Sequence, residues 1–283
     1  MTNEIDVIIP TNKSLSKLKK LLFQINNQVG NFKINIYIIH QCKKNVSPPG
    51  FLRDSNINYI NVRIQNLSNA KNIGLKMSKS KISTFIDDDI EISKNYFIEA
   101  IKCLKKNNAE IIFFKINKLH TNIPLSRNMK NFDMDINFRN SGGCLSSSMW
   151  IQSTKQKKIF FDTNFGLGAK FGSADETDYV YQALFLNRKI KYFSKSLIFH
   201  PHEFENFKDK KKIYYKFLSY GEGQGALYKK YLKKNYIFFS YLFSKSLLKS
   251  LFGFCLYLFL LNKHNSVKYF AMLVGKFRGF INY

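Results

Sequence analysis

Acidic residues and paired cysteines are scarce in this sequence. It has 19 Asp and Glu against 45 Lys and Arg, which gives a formal net charge of +26. Such an excess predicts an anionic partner, whether nucleic acid, an anionic membrane surface or a phosphate-bearing small molecule. The four cysteines form no C-x-x-C pair, so a disulfide framework and a zinc site are disfavoured and reduced thiols in the cytosol are expected.

Several catalytic motifs are also missing. The sequence has no G-x-x-x-x-G-K-[ST] segment, which argues against P-loop chemistry, and no G-x-S-x-G elbow. Residues 221–225 alternate glycine with polar residues but follow no predicted strand, so they are not a dinucleotide fingerprint. The first residues form neither a basic nor an apolar region, so we expect no signal peptide.

Short apolar runs alternate with helical patterns along the first two thirds of the chain. We predict strands at residues 6–10, 34–39, 57–62, 82–86, 110–116 and 191–200, and helices at residues 15–25, 69–77, 96–105 and 175–186. This alternation predicts an α/β fold with a mostly parallel central sheet. Ligands bind such sheets at the carboxyl ends of the strands, where Thr11, His40-Gln41 and Asp87 to Asp89 are expected.

Asp87-Asp88-Asp89 directly follows one of these predicted strands. Residues two apart in extended backbone point the same way, so Asp87 and Asp89 are predicted to converge on one ion. Clustered carboxylates repel one another and need a cation, and oxygen ligands suit Mg²⁺ or Mn²⁺. The alternative is a solvated turn or the N-cap of the next helix, since runs of aspartate are common.

A second acidic segment, Asp175-Glu176-Thr177-Asp178, lies between a glycine-rich loop and a predicted helix. Ser173 and Glu176 match a capping box, and the helix dipole favours acids in the first turn. The functional alternative is a general base directed at an acceptor hydroxyl, and the two roles are compatible. His200-Pro201-His202 ends the last predicted strand and is a candidate metal or phosphate contact.

The composition changes near residue 205, where we place a boundary. No proline follows Pro201 and no acidic residue follows Glu222. The uninterrupted apolar run, Leu251 to Leu261, is too short to span a membrane comfortably. If residues 230–249 form one helix, one face carries four lysines that would meet anionic head groups while the rest inserts: Lys230, Lys234, Lys245 and Lys249. We expect peripheral attachment to an anionic membrane; the alternative is a helical pair packed on the catalytic domain.

Taken in chain order, these segments resemble the inverting glycosyltransferases of family 2, which have the GT-A fold. Pro10-Thr11 ends a strand that is similar to the start of the family's domain. Asn69-Ala70-Lys71-Asn72-Ile73-Gly74 resembles the family's Ala-Arg-Asn-x-Gly segment, with Lys71 in the arginine position. Asp87-Asp88-Asp89 resembles the family's metal and diphosphate motif, and residues 161–178 resemble the stretch that carries its catalytic base.

The resemblance implies a role for each matching residue. It assigns nucleotide-sugar binding to Pro10, Thr11, Gln41, Lys71, Asn72, Asp87 and Asp88. It assigns Mn²⁺ or Mg²⁺ to Asp89 or Asp88, with His200 completing the metal site. Glu176 takes the position of the base with Asp175 beside it, and the choice between the two stays open. The family usually has Asp-Asp-Gly-Ser where this chain has His40-Gln41-Cys42-Lys43, so the nucleobase preference stays open as well.

The implied reaction is a single displacement from a nucleotide-diphosphate sugar onto a saccharide or lipid-linked saccharide acceptor, in surface-polysaccharide synthesis. The resemblance divides the chain into three parts: a nucleotide-sugar-binding half (1–115), an acceptor-binding and catalytic half (116–205) and a C-terminal helical, membrane-associating region (206–283). The expected location is the cytoplasmic face of the cell membrane, without nucleic acid as a partner.

Two other functions compete with this hypothesis. A sugar-phosphate nucleotidyltransferase shares the sheet and the metal site but normally shows a glycine-rich, basic loop directly after the first strand, and Thr11 to Leu18 lacks glycine. A non-enzymatic basic protein that binds membranes or nucleic acid leaves the aspartate triplet unexplained.

Overall fold

The computed structural model describes residues 3–44, 46–153, 158–201 and 209–283. The chain folds as two compact units: Met1–Phe161 with Tyr179–His202, and Asp162–Asp178 with Glu203–Tyr283. The boundary predicted near residue 205 falls outside the described residues, and the predicted domain division stays a prediction.

The first unit is built on a nine-stranded sheet. Its strands are β1 (Asn3–Thr11), β2 (Phe32–Gln41), β3 (Ile57–Val62), β4 (Ile82–Phe85), β5 (Glu91–Ile92), β6 (Ile111–Lys118), β7 (Met134–Asp135), β8 (Trp150–Gln152) and β9 (Ile190–His200). They are ordered β3-β2-β1-β4-β8-β6-β9-β5, and β7 also pairs with β9. Strands β1 to β4, β6 and β9 run in one direction, while β5, β7 and β8 run against them.

Four α-helices lie between the strands of this sheet in chain order: α1 (Leu18–Asn26), α2 (Leu67–Met77), α3 (Tyr96–Asn107) and α4 (Asp175–Phe185). Helix α1 buries the apolar stripe that the sequence predicts, from Leu18 to Ile25. Helix α2 comes so close to β1 that a Cβ on Gly74 would lie 2.3 Å from Cγ2 of Ile8. Glycine at this position therefore lets α2 pack directly on the central strands.

The parallel strands β1, β2 and β4 end at one edge of the sheet. In the β1–β2 register Thr11 pairs with His40, and in the β1–β4 register Ile8 pairs with Phe85. Thr11, His40-Gln41 and the residues after β4 therefore lie at the same edge, as the sequence predicts. The α/β class with a mostly parallel sheet is likewise confirmed.

A buried carboxylate stabilises the opposite end of β1. Asp6 is fully buried and accepts hydrogen bonds from Asn35 Nδ2 (2.8 Å), Ser78 Oγ (2.9 Å), Lys79 N (2.6 Å), and Ser80 N and Oγ (both 2.7 Å). Burial alone raises the pKa of Asp6, but these hydrogen bonds outweigh it and the pKa is lowered. Asp6 thus fixes the turn that leads from α2 into β4.

The second unit contains helices α5 (Lys210–Leu232), α6 (Tyr236–Phe259) and α7 (Lys263–Asn282). Glycines allow α5 and α7 to pack backbone to backbone. A Cβ on Gly275 would lie 2.2 Å from the carbonyl oxygen of Leu218, and one on Gly279 would lie 1.9 Å from that of Glu222. Any larger side chain at these positions would force the two helices apart.

The prediction that residues 230–249 form one helix is wrong. Helix α5 ends at Leu232, and the Asn235 side chain accepts a hydrogen bond from Phe238 N at 3.0 Å, which caps a second helix. The four lysines from Lys230 to Lys249 therefore do not share one helical face. Sequence periodicity missed this break because lysine and aromatic residues continue through it, and only the capping asparagine marks it.

Candidate active site

Hydroxyl, ammonium and carboxylate groups meet where β1 and β4 end. Thr11 Oγ1 donates a hydrogen bond to Asp88 Oδ2 at 2.5 Å. Lys13 Nζ lies 3.0 Å from Asp88 Oδ1 and 2.6 Å from Asp89 Oδ2. Partial burial lowers the pKa of Lys13, but the two aspartates outweigh it and the pKa is raised. Lys13 was not predicted as a site residue, because nothing in its local sequence distinguishes it from the many other lysines.

His200, at the end of β9, lies beside the carboxylates of Asp87 and Asp89. Its Nε2 lies 3.5 Å from Asp89 Oδ1 and 4.0 Å from Asp87 Oδ2. Its Nδ1 lies 2.7 Å from the carbonyl oxygen of Pro201, a contact that favours a proton on Nδ1 and leaves Nε2 directed at the carboxylates. Asp87 and Asp89 both approach His200, while Asp89 also shares Lys13 with Asp88. Residues 88 and 89 form a turn, so the strand-like alternation expected from the sequence is not the reason for this arrangement.

Asp87 lies in a mixed electrostatic environment. Partial burial raises its pKa although 32% of the side chain is exposed, the neighbouring aspartates add to this shift, and Lys71 and His200 oppose it. Lys71 is fully buried, and its Nζ lies 4.8 Å from the centre of the Phe161 ring. A buried cation therefore acts on the first aspartate of the triplet.

Asn72 is bonded to the backbone of the segment that precedes the acidic loop. Its Nδ2 donates to the Phe161 carbonyl oxygen and its Oδ1 accepts from Phe161 N, both at 2.8 Å. In this structure the Asn72 amide therefore positions Phe161, and its predicted contact with a nucleotide sugar stays a prediction. Gln41 is buried at the end of β2, and Pro10 lies within β1.

The donor groups fit a hard divalent cation, although a complete ligand cage is not preformed. Within the ranges described, no group of three or more His, Cys, Asp or Glu side chains is arranged to hold a metal ion. The carboxylates at this edge are the donor type that Mn²⁺ and Mg²⁺ prefer, whereas the His200 imidazole nitrogen is a donor more usual for softer metal ions. Lys13 already lies as a positive charge between Asp88 and Asp89. The predicted ligands Asp89, Asp88 and His200 stay predictions, and His202 is outside the described residues.

The predicted base residues begin α4 and belong to the second unit. Asp175 is buried and Glu176 is half-buried, so Glu176 is the more accessible of the two. The predicted capping box is wrong, because α4 begins at Asp175 and Ala174 holds the cap position with φ 71°. Ser173 Oγ donates instead to the Tyr220 carbonyl oxygen at 3.1 Å. The distance from Glu176 to the aspartate triplet stays a prediction.

The second unit also contains a buried ion cluster that sequence reasoning missed. Lys230 Nζ lies 2.7 Å from Asp162 Oδ2 and 2.6 Å from Asp178 Oδ1, and Tyr231 Oη donates to Asp178 Oδ1 at 2.9 Å. The side chain of Asp178 is fully buried. Lys230 and Tyr231 lie 52 to 68 positions from the aspartates they contact, so no local pattern links them. The cluster fastens both ends of the loop 162–178 to α5.

Comparison with known proteins identifies the family. Residues 6–174 match the family described as "Glycosyl transferase family 2". The chain belongs to glycosyl transferase family 2. The resemblance inferred from the ordered motifs is confirmed, and with it the assignment to the transferases rather than to the non-enzymatic alternative. A search of curated proteins gave no significant match.

Solved structures of similar fold agree with this family. The mannosyltransferase PcManGT from Pyrobaculum calidifontis, in complex with GDP-Man and Mn²⁺, has a TM-score of 0.60 at 10% identity, over 99% of this chain and 87% of its own. S. aureus TarS has a TM-score of 0.59 at 17% identity, over 81% of this chain. Its 1–349 fragment with UDP-GlcNAc has a TM-score of 0.57 at 14% identity, over 97% of this chain and 91% of the fragment. This chain covers only 40% of the TarS chain, and these likenesses show that the family 2 chain has the GT-A fold.

Proposed function

We propose that this family 2 chain transfers a sugar from a nucleotide-diphosphate sugar to a saccharide acceptor, with inversion at the anomeric carbon and with Mn²⁺ or Mg²⁺. The observation that carries the proposal is the edge where Asp87, Asp89 and His200 face one another beside the buried Lys71. A diphosphate needs positive charge, and this edge supplies both a fixed cation and the donors for a divalent one. The structural neighbours with GDP-Man and Mn²⁺ and with UDP-GlcNAc support a donor of the same class.

Each residue has a distinct role in the proposed reaction. Asp87, Asp89 and His200 would hold the metal, which, when bound, would neutralise charge on the departing nucleoside diphosphate. Lys71 is a fixed cation whose charge acts on Asp87 and, through it, on the ligand set. Thr11, at the end of β1, holds the Asp88 carboxylate in place through a hydrogen bond from its hydroxyl. Glu176 would remove the proton from the acceptor hydroxyl as the new glycosidic bond forms.

The base assignment is tested with Glu176→Gln and Asp175→Asn. We expect Glu176→Gln to lower kcat by about 10²–10⁴-fold, the usual contribution of general base catalysis, because glutamine cannot accept the proton. Donor affinity, measured by thermal stabilisation with a nucleotide sugar and Mn²⁺, should stay within about twofold of wild type. A larger loss in Asp175→Asn than in Glu176→Gln would transfer the role to Asp175, and unchanged turnover in both would refute the loop as the source of the base.

The acceptor is proposed to be a lipid-linked saccharide at the cytoplasmic surface of the cell membrane. What supports this is the C-terminal region, which has no acidic residue after Glu222 and contains one long apolar helix. An enzyme held at the membrane surface would meet a lipid-linked acceptor at a high local concentration.

A further inference from the structure

We infer that the outward face of α6 is a membrane-binding surface that lies flat on an anionic lipid bilayer. This inference concerns binding alone and stands independently of the proposed reaction. It specifies which residues contact the lipid, and it replaces the four-lysine face that the sequence predicted.

The exposed face of α6 is its apolar face. Ile237, Tyr241, Leu248, Phe252 and Phe259 are all exposed, with Ile237, Phe252 and Phe259 at 82%, 70% and 85%. They recur at spacings of four and seven residues, which places them on one side of the helix. A helix on the surface of a water-soluble unit has the opposite arrangement, with polar residues outward.

The apolar surface is also extensive. From Tyr236 to Leu261, eleven large apolar side chains are exposed, and they include the tip formed by Leu260 and Leu261 after the helix ends. Contiguous exposed patches of this kind mark interaction sites rather than ordinary solvent-facing surface. Helix α6 is the helix of the described residues whose length and composition would allow it to cross a membrane, and only 17% of its most apolar window is buried.

Charge selects a bilayer with anionic lipids as the partner. Lys245 and Lys249 are exposed and lie on one side of the apolar face, about 50° and 90° from its centre at roughly 100° per residue. Lys233, Lys234 and Lys263 are exposed at the two ends of the helix. The outward face of α6 therefore has an apolar centre and a basic border. Because no Asp or Glu occurs after Glu222, no acidic residue of α6 or α7 would repel anionic lipid head groups.

The packing of the other face argues for a helix that lies on the membrane and does not cross it. Phe239, Leu242, Ser250 and Gly253 form the buried side of α6. A Cβ on Gly253 would lie 2.5 Å from the Tyr269 ring, so α7 is in direct contact with this side.

A crossing helix would therefore bring polar and charged neighbours into hydrocarbon, of which the Arg278–Glu222 pair carries the charge, because burial lowers the pKa of Lys276 to about 7. Lys276 of α7 donates hydrogen bonds to Ser246 O and Ser250 Oγ of α6, both at 2.7 Å. Arg278 and Glu222 pair at 3.3 Å between α7 and α5. Charges at such depth are costly, whereas a helix at the interface leaves them on the aqueous side.

The test is co-sedimentation of the full chain with phosphatidylcholine vesicles, with and without phosphatidylglycerol. We expect L248S/F252S to bind phosphatidylglycerol vesicles at least about tenfold more weakly, because two inserted side chains are lost. The matched control F23S/F132S removes two exposed phenylalanines of the first unit and should change binding by less than about twofold. Both variants alter exposed positions, and unchanged thermal unfolding would show that they fold.

The lysine border is tested by K245Q/K249Q against K105Q/K106Q, two exposed lysines of α3 that give the same change in net charge. We expect the first pair to weaken binding to phosphatidylglycerol vesicles by about tenfold or more and the second by less than about twofold. Binding of L248S/F252S to phosphatidylglycerol vesicles at the wild-type level would overturn the inference. Self-association through this face without vesicle binding would overturn it as well. Retention of the chain in native membranes after carbonate extraction would show that α6 crosses the bilayer, and would overturn the flat orientation.

Discussion

Replacing Lys230 by methionine should destabilise the second unit by about 3 kcal/mol at neutral pH. The substitution keeps the length of the side chain but removes the ammonium that Asp162 and Asp178 share at 2.7 and 2.6 Å. Breaking a buried ion pair from one side costs about 3–5 kcal/mol, because the remaining charge is left uncompensated. The Lys230 side chain is 20% exposed, so solvent screening places the expected value at the lower end.

The pH dependence separates this electrostatic cause from a loss of packing. Burial raises the pKa of Asp162, but its hydrogen bonds from Lys230 and Asn164 outweigh this, and the pKa is lowered from 3.8. A carboxylate with a lowered pKa stabilises the fold above its unfolded value, and this contribution is lost as the pH falls through the folded value. In Lys230→Met the uncompensated carboxylates take up protons more readily. The difference in unfolding free energy from wild type should therefore be largest near neutral pH and shrink towards about pH 4.

Urea unfolding followed by circular dichroism of the helices measures this difference across the pH range. The matched control is Lys229→Met, one residue earlier in α5, where Nζ lies 4.9 Å above the Phe280 ring in an exposed position. Loss of that contact should cost no more than about 1 kcal/mol and should not depend on pH below neutrality. A difference for Lys230→Met that is as small as the control's, or that is constant from neutral pH to about pH 4, would refute the electrostatic argument.

Two further substitutions test the packing of each unit. Asp6→Ala should cost at least about 3 kcal/mol in urea unfolding at pH 7, because several donors that bond this carboxylate are left unsatisfied, and the loss relative to wild type should diminish in acid as wild-type Asp6 itself takes up a proton. Equal stability of the two proteins would contradict the assigned hydrogen bonds. Gly279→Ala should cost about 1–3 kcal/mol, since its Cβ would lie 1.9 Å from the Glu222 carbonyl oxygen, whereas Gly50→Ala, with nothing within 4 Å, should change stability little. A Gly279→Ala variant as stable as Gly50→Ala would show that α5 and α7 are packed less closely than described.

The fold of the first unit was predictable because its signals are local. Runs such as Val7-Ile8-Ile9 are apolar on both faces of the strand, which identifies a buried parallel strand, and the helices between them have clear stripes. The short strands β5 and β7 were not predicted, since two residues carry no period, and they exist only because they pair with β9.

The site was predictable to the extent that it depends on strand ends. The position of Thr11 and of Asp87 to Asp89 at the sheet edge was predicted, because parallel strands bring their carboxyl ends to one edge, while their binding roles stay predictions. The ion pairs of Lys13 and Lys230 were not predictable, because which lysine meets which aspartate is decided by tertiary packing. The break between α5 and α6 was missed for a different reason: a single Asn235 side chain outweighs a continuous helical pattern.

The attachment of loop 162–178 to the C-terminal helices has a consequence for how this enzyme could be divided or recombined. The family match ends at residue 174, within the loop, yet the partners that hold the loop in place are Lys230 and Tyr231 of α5 and the last residues of α7, where Asn282 O accepts from Lys170. A protein truncated after β9 would retain Glu176 but would lose the side chains of α5 and α7 that hold its loop in place. In a chimera with a relative, helices α5 to α7 and the loop 162–178 would have to come from the same protein. The loop and these helices are therefore expected to be inherited together.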